Sequence, residues 1–381
     1  MGKWEMARLG DVCEIVSGTT PSTNKPELWG GNIKWITPAE ISSDSYFIYD
    51  TERHISEKAG LKQMPAGTVL LSSRAPIGKV AIAAEPMCCN QGFKNLICSE
   101  SIHNRYLYRY LKNQTTYLNS LGRGATFKEI SKAILEDVKI PLPPLANQQK
   151  IADILDRANA LIEKRKAQIG KLDLLVKSQF VEMFGDPVTN PMGWEVGRVI
   201  DFCDCMVPGR DKPKSFTGDI PWITIDDLIV NGITNKSKSN MGLTAQEVAQ
   251  VKRKPVPIGS VLMSCVGNLG ILSIAGTEVV INQQLHSFQC KENVINVFIM
   301  FELGWQKSYM KKMANSTTLP YMNKSVCNSI PVRVPPLALQ TQFATFVERV
   351  ETQKAQLKKS LALLDLNYKS LMQKCFVGEI V

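Results

Sequence analysis

Cysteine and histidine are the residues of this chain that could bind a metal or act as nucleophiles and bases. The chain has ten cysteines and three histidines among 381 residues. Its closest cysteines, Cys88-Cys89 and Cys203-Asp204-Cys205, lack the second pair of ligands that a zinc site places at regular spacing. We therefore expect reduced cysteines that pack as small apolar side chains, and no metal site.

The common sequence motifs of catalysis are missing. The chain has no Gly-x-x-x-x-Gly-Lys-Ser/Thr loop for a nucleotide phosphate and no serine in a nucleophile elbow. Asn190-Pro191-Met192 comes nearest to the Asn/Asp-Pro-Pro-aromatic motif of an amino-methyltransferase, but it lies in a linker. The sequence thus predicts a protein that binds without catalysing and that holds no cofactor itself. Three acidic residues that could have served as bases are interpreted as surface groups: Glu85, Glu129 and Asp137.

Many residues of the first half of the chain recur in the second half at a nearly constant offset. Pro143-Pro144-Leu145-Ala146 with Gln148 recurs after 192 residues as Pro335-Pro336-Leu337-Ala338 with Gln340. Other residues recur at the same offset or a slightly shorter one: Pro65, Gly67, Val69, Leu70, Ser72, Gly78 and Asn90-Gln91, and also Trp35-Ile36-Thr37 and Trp4-Glu5. A repeat of this size indicates two domains rather than a solenoid unit.

A protein with two similar domains and two similar helices can bind a partner that is itself approximately two-fold symmetric, and DNA is the obvious candidate. If the partner is DNA, residues that differ between the copies are the candidates for sequence-specific contacts. Arginine and lysine bind phosphates and guanine edges, and asparagine can pair with adenine. Arg74 and Lys79 have no basic counterpart around Val266 and Ile271, and residues 122–128 differ from residues 314–320. The candidate DNA-binding residues are Lys25, Lys34, Arg74, Lys79, Arg123 and Lys128 in the first copy and Arg210, Lys212, Lys214, Asn268, Asn315 and Tyr321 in the second.

Residues that the copies share are expected to hold the scaffold. Asn90-Gln91 and Asn282-Gln283 could contact adenine, but their presence in both copies favours a hydrogen bond to a neighbouring turn. Thr37 begins Thr-Pro-Ala-Glu, which predicts a capped helix start, and Thr224 has a similar context. Such a helix start could also seat a phosphate, although capping is the simpler interpretation.

Two long helices must position these loops. Ile151, Leu155 and Ile162 begin one heptad pattern, which runs on through Gln179 and Met183. A second heptad pattern runs from Phe343 to Cys375, and neither segment contains proline. Each spans about 35 residues, or roughly 50 Å. Helices of this length need a packing partner, and each is expected to pack against the other.

The remaining segments indicate a mixed α/β fold. Residues 68–72 and 79–83 are predicted to form strands, with counterparts at 260–264 and 271–275. Residues 103–121 are predicted to form a helix that ends at Gly122, with a weaker counterpart at 294–314. The expected organisation is a first domain at 1–144, a central helix at 145–185, a second domain at 186–336 and a C-terminal helix at 337–381.

Composition narrows the functional classes. The net charge of +10 is spread over all four segments, which suits a long, shallow contact with a polyanion. No run approaches the roughly 20 apolar residues of a membrane span, and the first residues lack the apolar segment of a signal peptide. We expect a cytoplasmic protein that has no membrane contact.

At this point the chain resembles the DNA specificity subunits of type I restriction-modification enzymes. The resemblance covers the whole length and rests on Ser17-Gly18-Thr19-Thr20-Pro21-Ser22, Trp29-Gly30-Gly31, Ile33-Lys34-Trp35-Ile36-Thr37, Asn90-Gln91 and the strip at 141–152. The second copy matches less fully, since residues 210–218 replace the Ser-Gly-x-Thr-Pro-Ser opening and Thr341 replaces the second glutamine.

The resemblance implies an architecture and a set of partners. Each globular domain would be a target-recognition domain for one part of a split, asymmetric site in double-stranded DNA. The two helices would form an antiparallel coiled coil that sets the spacing. Two methyltransferase subunits would bind S-adenosylmethionine, and restriction-translocase subunits would use ATP and Mg²⁺.

A scaffold protein without DNA is the alternative from another class. Its helices would hold two adaptor domains to protein partners, and its loops would be apolar and uncharged. The segments at 17–25 and 210–217 are instead polar, and the second contains three cations. These loops favour DNA over the scaffold.

Overall fold

The computed structural model describes residues 4–42, 44–124, 128–209, 211–315 and 318–381. They form two compact units, one of residues 1–166 and 359–381 and the other of residues 167–358. The first unit holds the first globular half, the beginning of the central helix and the end of the C-terminal helix. The second unit holds the second half with the complementary parts of both helices. The α/β fold expected from the sequence is confirmed.

The first half, with the central helix, contains ten strands and five α-helices among its described residues. The strands are β1 (Met6–Arg8), β2 (Cys13–Ser17), β3 (Trp29–Ile36), β4 (Phe47–Ile48), β5 (Arg53–Ile55), β6 (Val69–Ser72), β7 (Val80–Ala83), β8 (Cys88–Cys89), β9 (Phe93–Cys98) and β10 (Lys139–Pro141). The helices are α1 (Leu9–Val12), α2 (Asn104–Asn113), α3 (Thr115–Leu121), α4 (Lys132–Glu136) and α5 (Leu145–Phe184), with 3-10 turns at Pro26–Leu28, Pro38–Glu40 and Glu57–Ala59.

The second half repeats this order. Its strands are β11 (Val196–Arg198), β12 (Cys203–Met206), β13 (Ile220–Ile223), β14 (Ile233–Thr234), β15 (Gly242–Leu243), β16 (Val261–Ser264), β17 (Leu272–Ala275), β18 (Val280–Ile281), β19 (Leu285–Cys290) and β20 (Pro331–Arg333). Its helices are α6 (Val199–Phe202), α7 (Ala245–Gln250), α8 (Asn296–Trp305), α9 (Lys307–Met313), α10 (Lys324–Asn328) and α11 (Leu337–Val377), with a 3-10 turn at Ile225–Asp227.

The sheets of the two halves have the same strand order and register. The first half pairs β1 with β10 and forms the sheets β2-β9-β6-β7-β4 and β5-β3-β8. The second half pairs β11 with β20 and forms β12-β19-β16-β17-β14 and β15-β13-β18. Val69 lies opposite Leu96, and Val261 lies opposite Phe288 at the same offset of 192 residues. The tandem repeat in the sequence is therefore a repeat of complete folds.

The central strands of the larger sheet are buried on both faces. In β6, Val69 and Leu71 pack on the helical layer with Tyr106 and Leu107 of α2. Leu70 points to the opposite face, where it packs in the cluster that includes Ile36 and Cys89. Strands covered on both faces are apolar at every position rather than at alternate ones. This explains the continuous apolar runs from which the strands were predicted.

A buried glutamine locks the start of each long helix to its own half. Gln148 is fully buried, its side-chain oxygen accepts the backbone N–H of His103 at 2.7 Å, and its amide donates to the Pro143 and Ser101 carbonyls. Gln340 does the same with the backbone N–H of Ile295 at 2.9 Å and with the Pro335 carbonyl. The glutamine of the repeated Pro-Pro-Leu-Ala motif thus fixes each long helix to its globular domain.

The two helices pair antiparallel within the second unit. The Phe184 ring lies 5.6 Å from that of Phe343, and Lys354 Nζ lies 2.7 Å from Asp173 Oδ1. From the first of these contacts to the second, the residue number decreases on α5 and increases on α11. The two helices therefore run in opposite directions. The polar seam residue Lys354 contacts the facing helix, as expected of a register-fixing position.

The predicted heptads are correct for most of each helix but wrong at the end of α5. α5 and α11 span 40 and 41 residues, longer than expected. After Val176, the buried positions are Phe180 and Phe184 rather than Gln179 and Met183. The phenylalanines pack against Phe298 of α8 as well as Phe343 of α11, so the globular half and the facing helix together determine the buried side there.

Candidate nucleic-acid interface

Strand directions gather several loops at one edge of each half. In the first half, β2 and β6 end where β7 and β9 begin, because neighbouring strands are antiparallel. Residues 73–79 and 90–92 therefore lie along this edge, together with the start of the loop at 18–28, whose Gly18 and Thr19 donate to the Phe93 and Cys89 carbonyls. Glu129 joins the edge through backbone pairing with Arg74. We call this the first loop edge. The equivalent second loop edge contains residues 265–271, 282–284 and 318–322. The start of the loop after β12 joins it, because Arg253 contacts the carbonyls of both Asp211 and Ile281.

The two loop edges share one backbone framework. Arg123 and Glu129 exchange backbone hydrogen bonds of 3.0 and 2.9 Å, and Asn315 and Tyr321 exchange bonds of 2.9 and 3.1 Å. The next backbone N–H donates across the edge in both cases, from Ile130 to the Ser73 carbonyl and from Met322 to the Cys265 carbonyl, at 2.9 Å each. The divergent positions predicted from the repeat are thus neighbours in space.

The first loop edge carries a group of three charges. Arg74 Nε donates to Glu129 Oε2 at 2.9 Å, and Lys94 Nζ donates to Glu129 Oε1 at 3.1 Å. Burial raises the pKa of the Glu129 carboxyl, but hydrogen bonds from Lys94 and Arg74 outweigh this effect and lower the pKa below its usual value. Glu129 is therefore a carboxylate at neutral pH. Glu129 is partly exposed, as expected of a surface group, but it is also held by two cations.

Glu85 and Asp137 are exposed acids in ion pairs, with Lys34 and Arg8. Lys34 Nζ also donates to the Tyr49 carbonyl at 2.5 Å. Because Glu85 follows the far end of β7, Lys34 lies away from the first loop edge. Its ammonium group is used within its own domain, so the geometry does not support Lys34 as a DNA contact.

Lys79 is also bound to its own half. Its ammonium donates to the Pro38 carbonyl at 2.8 Å, which fixes the turn at residues 73–79 against the 3-10 turn. The other first-edge candidates, Lys25, Arg123 and Lys128, are exposed. Arg74 and these three residues are accordingly the first-half candidates whose position suits contact with DNA.

The second loop edge is less charged. Val266, Asn315 and Tyr321 occupy the positions of Arg74, Arg123 and Glu129. The remaining predicted residues of this half are placed as follows: Lys212, Lys214, Asn268, Asn315 and Tyr321 are exposed, whereas Arg210 lies outside the described residues. At the three equivalent positions the second edge therefore offers an apolar, an amide and a phenol group where the first offers ions.

His286 replaces Lys94 beneath the second edge. Its side chain is buried, and its Nε2 has no hydrogen-bond partner among the described residues. Burial lowers the pKa of His286 to about 4, so the imidazole is neutral at physiological pH. No buried cation thus stands in the position that Lys94 holds in the first half.

The shared residues hold turns. Asn90 Oδ1 accepts the backbone N–H of Gly92 at 2.9 Å, and Asn282 Oδ1 accepts that of Gln284 at 3.1 Å. A Cβ on Gly18 would lie 1.8 Å from the Asn90 carbonyl oxygen, so glycine is required where this loop passes the turn. The structural interpretation of both asparagines is supported.

The predicted helix starts are capped 3-10 turns of three residues. The Thr37 backbone N–H donates to Glu40 Oε1, and the Thr224 backbone N–H donates to Asp227 Oδ2, both at 2.8 Å. The capping boxes are confirmed. Because a carboxylate of the same turn already occupies each cap, the geometry gives no support to a phosphate site there.

Arginine–aromatic stacks beside both edges were not found from the sequence. Arg53 lies 3.8 Å above the Trp29 ring, and Arg253 lies 4.6 Å above the Trp222 ring. Arg253 also donates to the Asp211 carbonyl at 2.7 Å and so holds the start of its loop. The arginines come from different segments in the two halves, so an offset comparison could not reveal them.

Among the described residues, no group of three or more His, Cys, Asp or Glu side chains could hold a metal ion, and no helix is long and apolar enough to cross a membrane. All ten cysteines are free.

Known proteins are similar to this chain over nearly its whole length. The sequence model of the type I restriction modification DNA specificity domain matches residues 1–171 and again 191–364. The MjaIX type I restriction enzyme specificity subunit of Methanocaldococcus jannaschii is 31% identical, with 99% of this chain and 93% of the relative covered. The EcoR124I/EcoR124II specificity subunit of Escherichia coli is 31% identical over 42% of each chain.

Solved structures show the same fold at low sequence identity. A chain from a study of complex assembly in the type I restriction-modification system aligns with a TM-score of 0.65 and 18% identity, covering 99% of this chain and 98% of that one. The S subunit from M. genitalium aligns with a TM-score of 0.59 and 15% identity, covering 98% and 96%.

Proposed function

The chain belongs to the type I restriction-modification DNA specificity family and is a DNA sequence-specificity subunit, and on that premise we propose that its two loop edges read the two parts of a bipartite, asymmetric site. The first edge would contact one half-site and the second edge the other. The observation that carries this proposal is the shared backbone framework with different side chains at equivalent positions.

The chemistry of the two edges supports different base preferences. Arg74 and Arg123 on the first edge are donors suited to guanine and phosphate. Asn315 on the second edge can donate to and accept from adenine, and Tyr321 offers a hydroxyl and an aromatic face. Two identical half-sites would need no such divergence, so the predicted site is asymmetric.

The long helices provide a surface for partners. Outside the buried seam, each helix exposes several leucines, namely Leu161, Leu174 and Leu175 on α5 and Leu363 and Leu366 on α11. Contiguous exposed apolar residues are typical of protein interaction sites, and Leu363 and Leu366 lie one turn apart on α11. We propose that two methyltransferase subunits dock there, and that restriction-translocase subunits join the complex in the cytoplasm.

The chemistry of the complex would belong to those partners. S-adenosylmethionine would bind to the methyltransferase subunits, and ATP and Mg²⁺ to the restriction-translocase subunits. This chain would contribute the choice and spacing of bases without catalysis. Polar loop edges and the family relationship favour this function over a scaffold that binds only proteins.

Methylation mapping tests the proposal directly. The chain is co-expressed with its cognate methyltransferase subunits in a host without adenine methylation, and methylated adenines are mapped across the host genome. We expect a motif of two different base sequences separated by an unspecified spacer. Arg74→Ala should relax one of these sequences, and Asn315→Ala with Tyr321→Ala should relax the other.

The unchanged part of the motif serves as an internal control for folding and assembly in each variant. A single uninterrupted motif in the wild-type complex would refute the bipartite site. The proposal would also fail if the substitutions on both edges altered the same part of the motif.

A further inference from the structure

Arg74, Glu129 and Lys94 form a linked trio at the first loop edge. We propose that Glu129 is a positioning residue for specificity: it orients the Arg74 guanidinium toward a guanine of the half-site that the first half reads, while buried Lys94 holds Glu129 in place. This inference rests on the proposed function and deepens it, because it names the base and the residues that determine the choice.

The hydrogen bonding of Arg74 leaves the required donors free. Its Nε is bound to Glu129, and its two terminal nitrogens have no hydrogen bond to a described residue. Guanine presents two acceptors, O6 and N7, in the major groove, and a guanidinium can donate to both at once. With its side chain 45% exposed, Arg74 can present that pair of donors outward.

Lys94 anchors the three side chains to the sheet. It lies in β9, which is paired on both sides, with β2 and β6, and its side chain is only 8% exposed. A lysine in such a position is rarely found without a partner. Glu129 supplies that partner and is fixed at both carboxylate oxygens, one by Lys94 and one by Arg74.

The second half shows that the trio is not needed to build the loop edge. There the same backbone hydrogen bonds form around Val266, His286 and Tyr321, none of which can make these ion pairs at neutral pH. A trio that the fold does not require, and that stands only on one edge, fits a role in selecting a base.

The test compares Arg74→Ala, Glu129→Gln and the double variant in the complex with methyltransferase subunits. Methylation rates are measured on duplexes that carry the mapped wild-type site or a substitution at each specified position. We expect a guanine in the first half-site. Arg74→Ala and Glu129→Gln should both lower discrimination at that guanine, on the order of tenfold to a hundredfold for loss of a bidentate contact.

The double variant should lose no more discrimination than Arg74→Ala alone, because both substitutions remove the same contact, that of Arg74 with the guanine. Discrimination in the second half-site should be unchanged in every variant. The matched control is Asp137→Asn, which breaks an exposed ion pair with Arg8 away from the loop edge, and it should retain the wild-type motif.

Three results would overturn the inference. The first is full discrimination by Glu129→Gln where Arg74→Ala loses it, which would make Glu129 dispensable. Glu129→Gln could instead relax a different base, which would make Glu129 an independent contact. Loss of methylation through both half-sites would assign the trio to folding. In each case the bipartite motif of the wild-type complex would still stand, so failure of this inference is distinct from failure of the proposed function.

Discussion

Replacing Arg333 by methionine should destabilise the second unit by removing the charge that anchors α5 to its globular half. Arg333 donates to both oxygens of Glu302 in α8, at 3.0 and 2.8 Å. It also donates to the carbonyls of Phe184 and Gly185 at the end of α5, at 3.0 and 3.1 Å. Both charged side chains are buried, with exposed fractions of 2% for Arg333 and 0% for Glu302.

The expected cost follows from this burial. Removing one partner of a buried ion pair typically costs about 3–5 kcal/mol, because the other charge stays buried without compensation. The backbone N–H of residue 333 would still donate to Glu302 Oε1, as it does now at 3.0 Å. We therefore expect the lower part of the range, about 3 kcal/mol, which is a large part of the roughly 5–15 kcal/mol that stabilises a domain.

Urea unfolding of the purified chain measures the free energy, and amide hydrogen exchange localises the loss. Exchange should accelerate most at the end of α5 and in β20. The matched control is Arg198→Met, whose ion pair with Asp201 is exposed and should therefore contribute little to stability. Adding Glu302→Gln to Arg333→Met should recover part of the loss.

A loss below about 1 kcal/mol for Arg333→Met would show that the pair contributes no more than a surface ion pair. A double variant less stable than Arg333→Met would contradict the claim that an uncompensated charge causes the loss. Either result would refute the reasoning from burial.

Two further predictions concern acid stability and spacing. His286 has a folded pKa of about 4, below its ordinary value of 6.5, so its contribution to stability is present above pH 6.5 and falls as the pH drops toward 4. The free energy of unfolding that is lost as the pH falls from 6.5 to 4 is about 3 kcal/mol. Urea unfolding at several pH values should show that the His286→Gln variant does not have this loss. Four residues inserted after Ile169 and after Lys358 lengthen both helices by about 6 Å, so methylation mapping should show a spacer longer by roughly one to two base pairs at 3.4 Å each. Altered bases with an unchanged spacer would exclude the helices as the ruler.

The repeat made most of the fold predictable. Strands expected at 68–72 and 79–83 are found at Val69–Ser72 and Val80–Ala83, and the helix expected at 103–121 is interrupted only at Gln114. Apolar runs and heptads are local sequence patterns, and they indicate which side chains are buried. The heptad failed where packing was not local, because Phe180 and Phe184 contact α8 of the following half.

The candidate site was predictable only in part. Comparison of the copies located Arg74, Arg123, Asn315 and Tyr321, because it separates shared scaffold from divergent side chains. It missed Lys94, although a lysine between Phe93 and the apolar end of β9 is a signal of a buried, paired charge. The partner Glu129 could not be identified from the sequence, because its contact with Lys94 depends on how the loop folds back over the sheet.

Tryptophans near the start of each half show how the repeat also organises the helix ends. Trp4 Nε1 donates to the Cys375 carbonyl near the end of α11, and Trp194 Nε1 donates to the Phe184 carbonyl at the end of α5. Each globular half therefore holds the end of one long helix with an indole and the start of the other with a glutamine. These anchors use residues common to both copies.

Under the proposed function, scaffold and specificity are carried by different residues. The glutamines, tryptophans and asparagines that recur at equivalent positions bind backbone groups, which do not change when side chains change. The divergent residues at 74, 94, 123 and 129, and at 266, 286, 315 and 321, occupy a framework whose backbone hydrogen bonds are the same in both halves. The proposal therefore predicts that substitutions there change which base is bound without rebuilding the edge. Because the Lys94–Glu129–Arg74 contacts lie entirely within the first half, the proposal predicts that its base preference can change independently of the second.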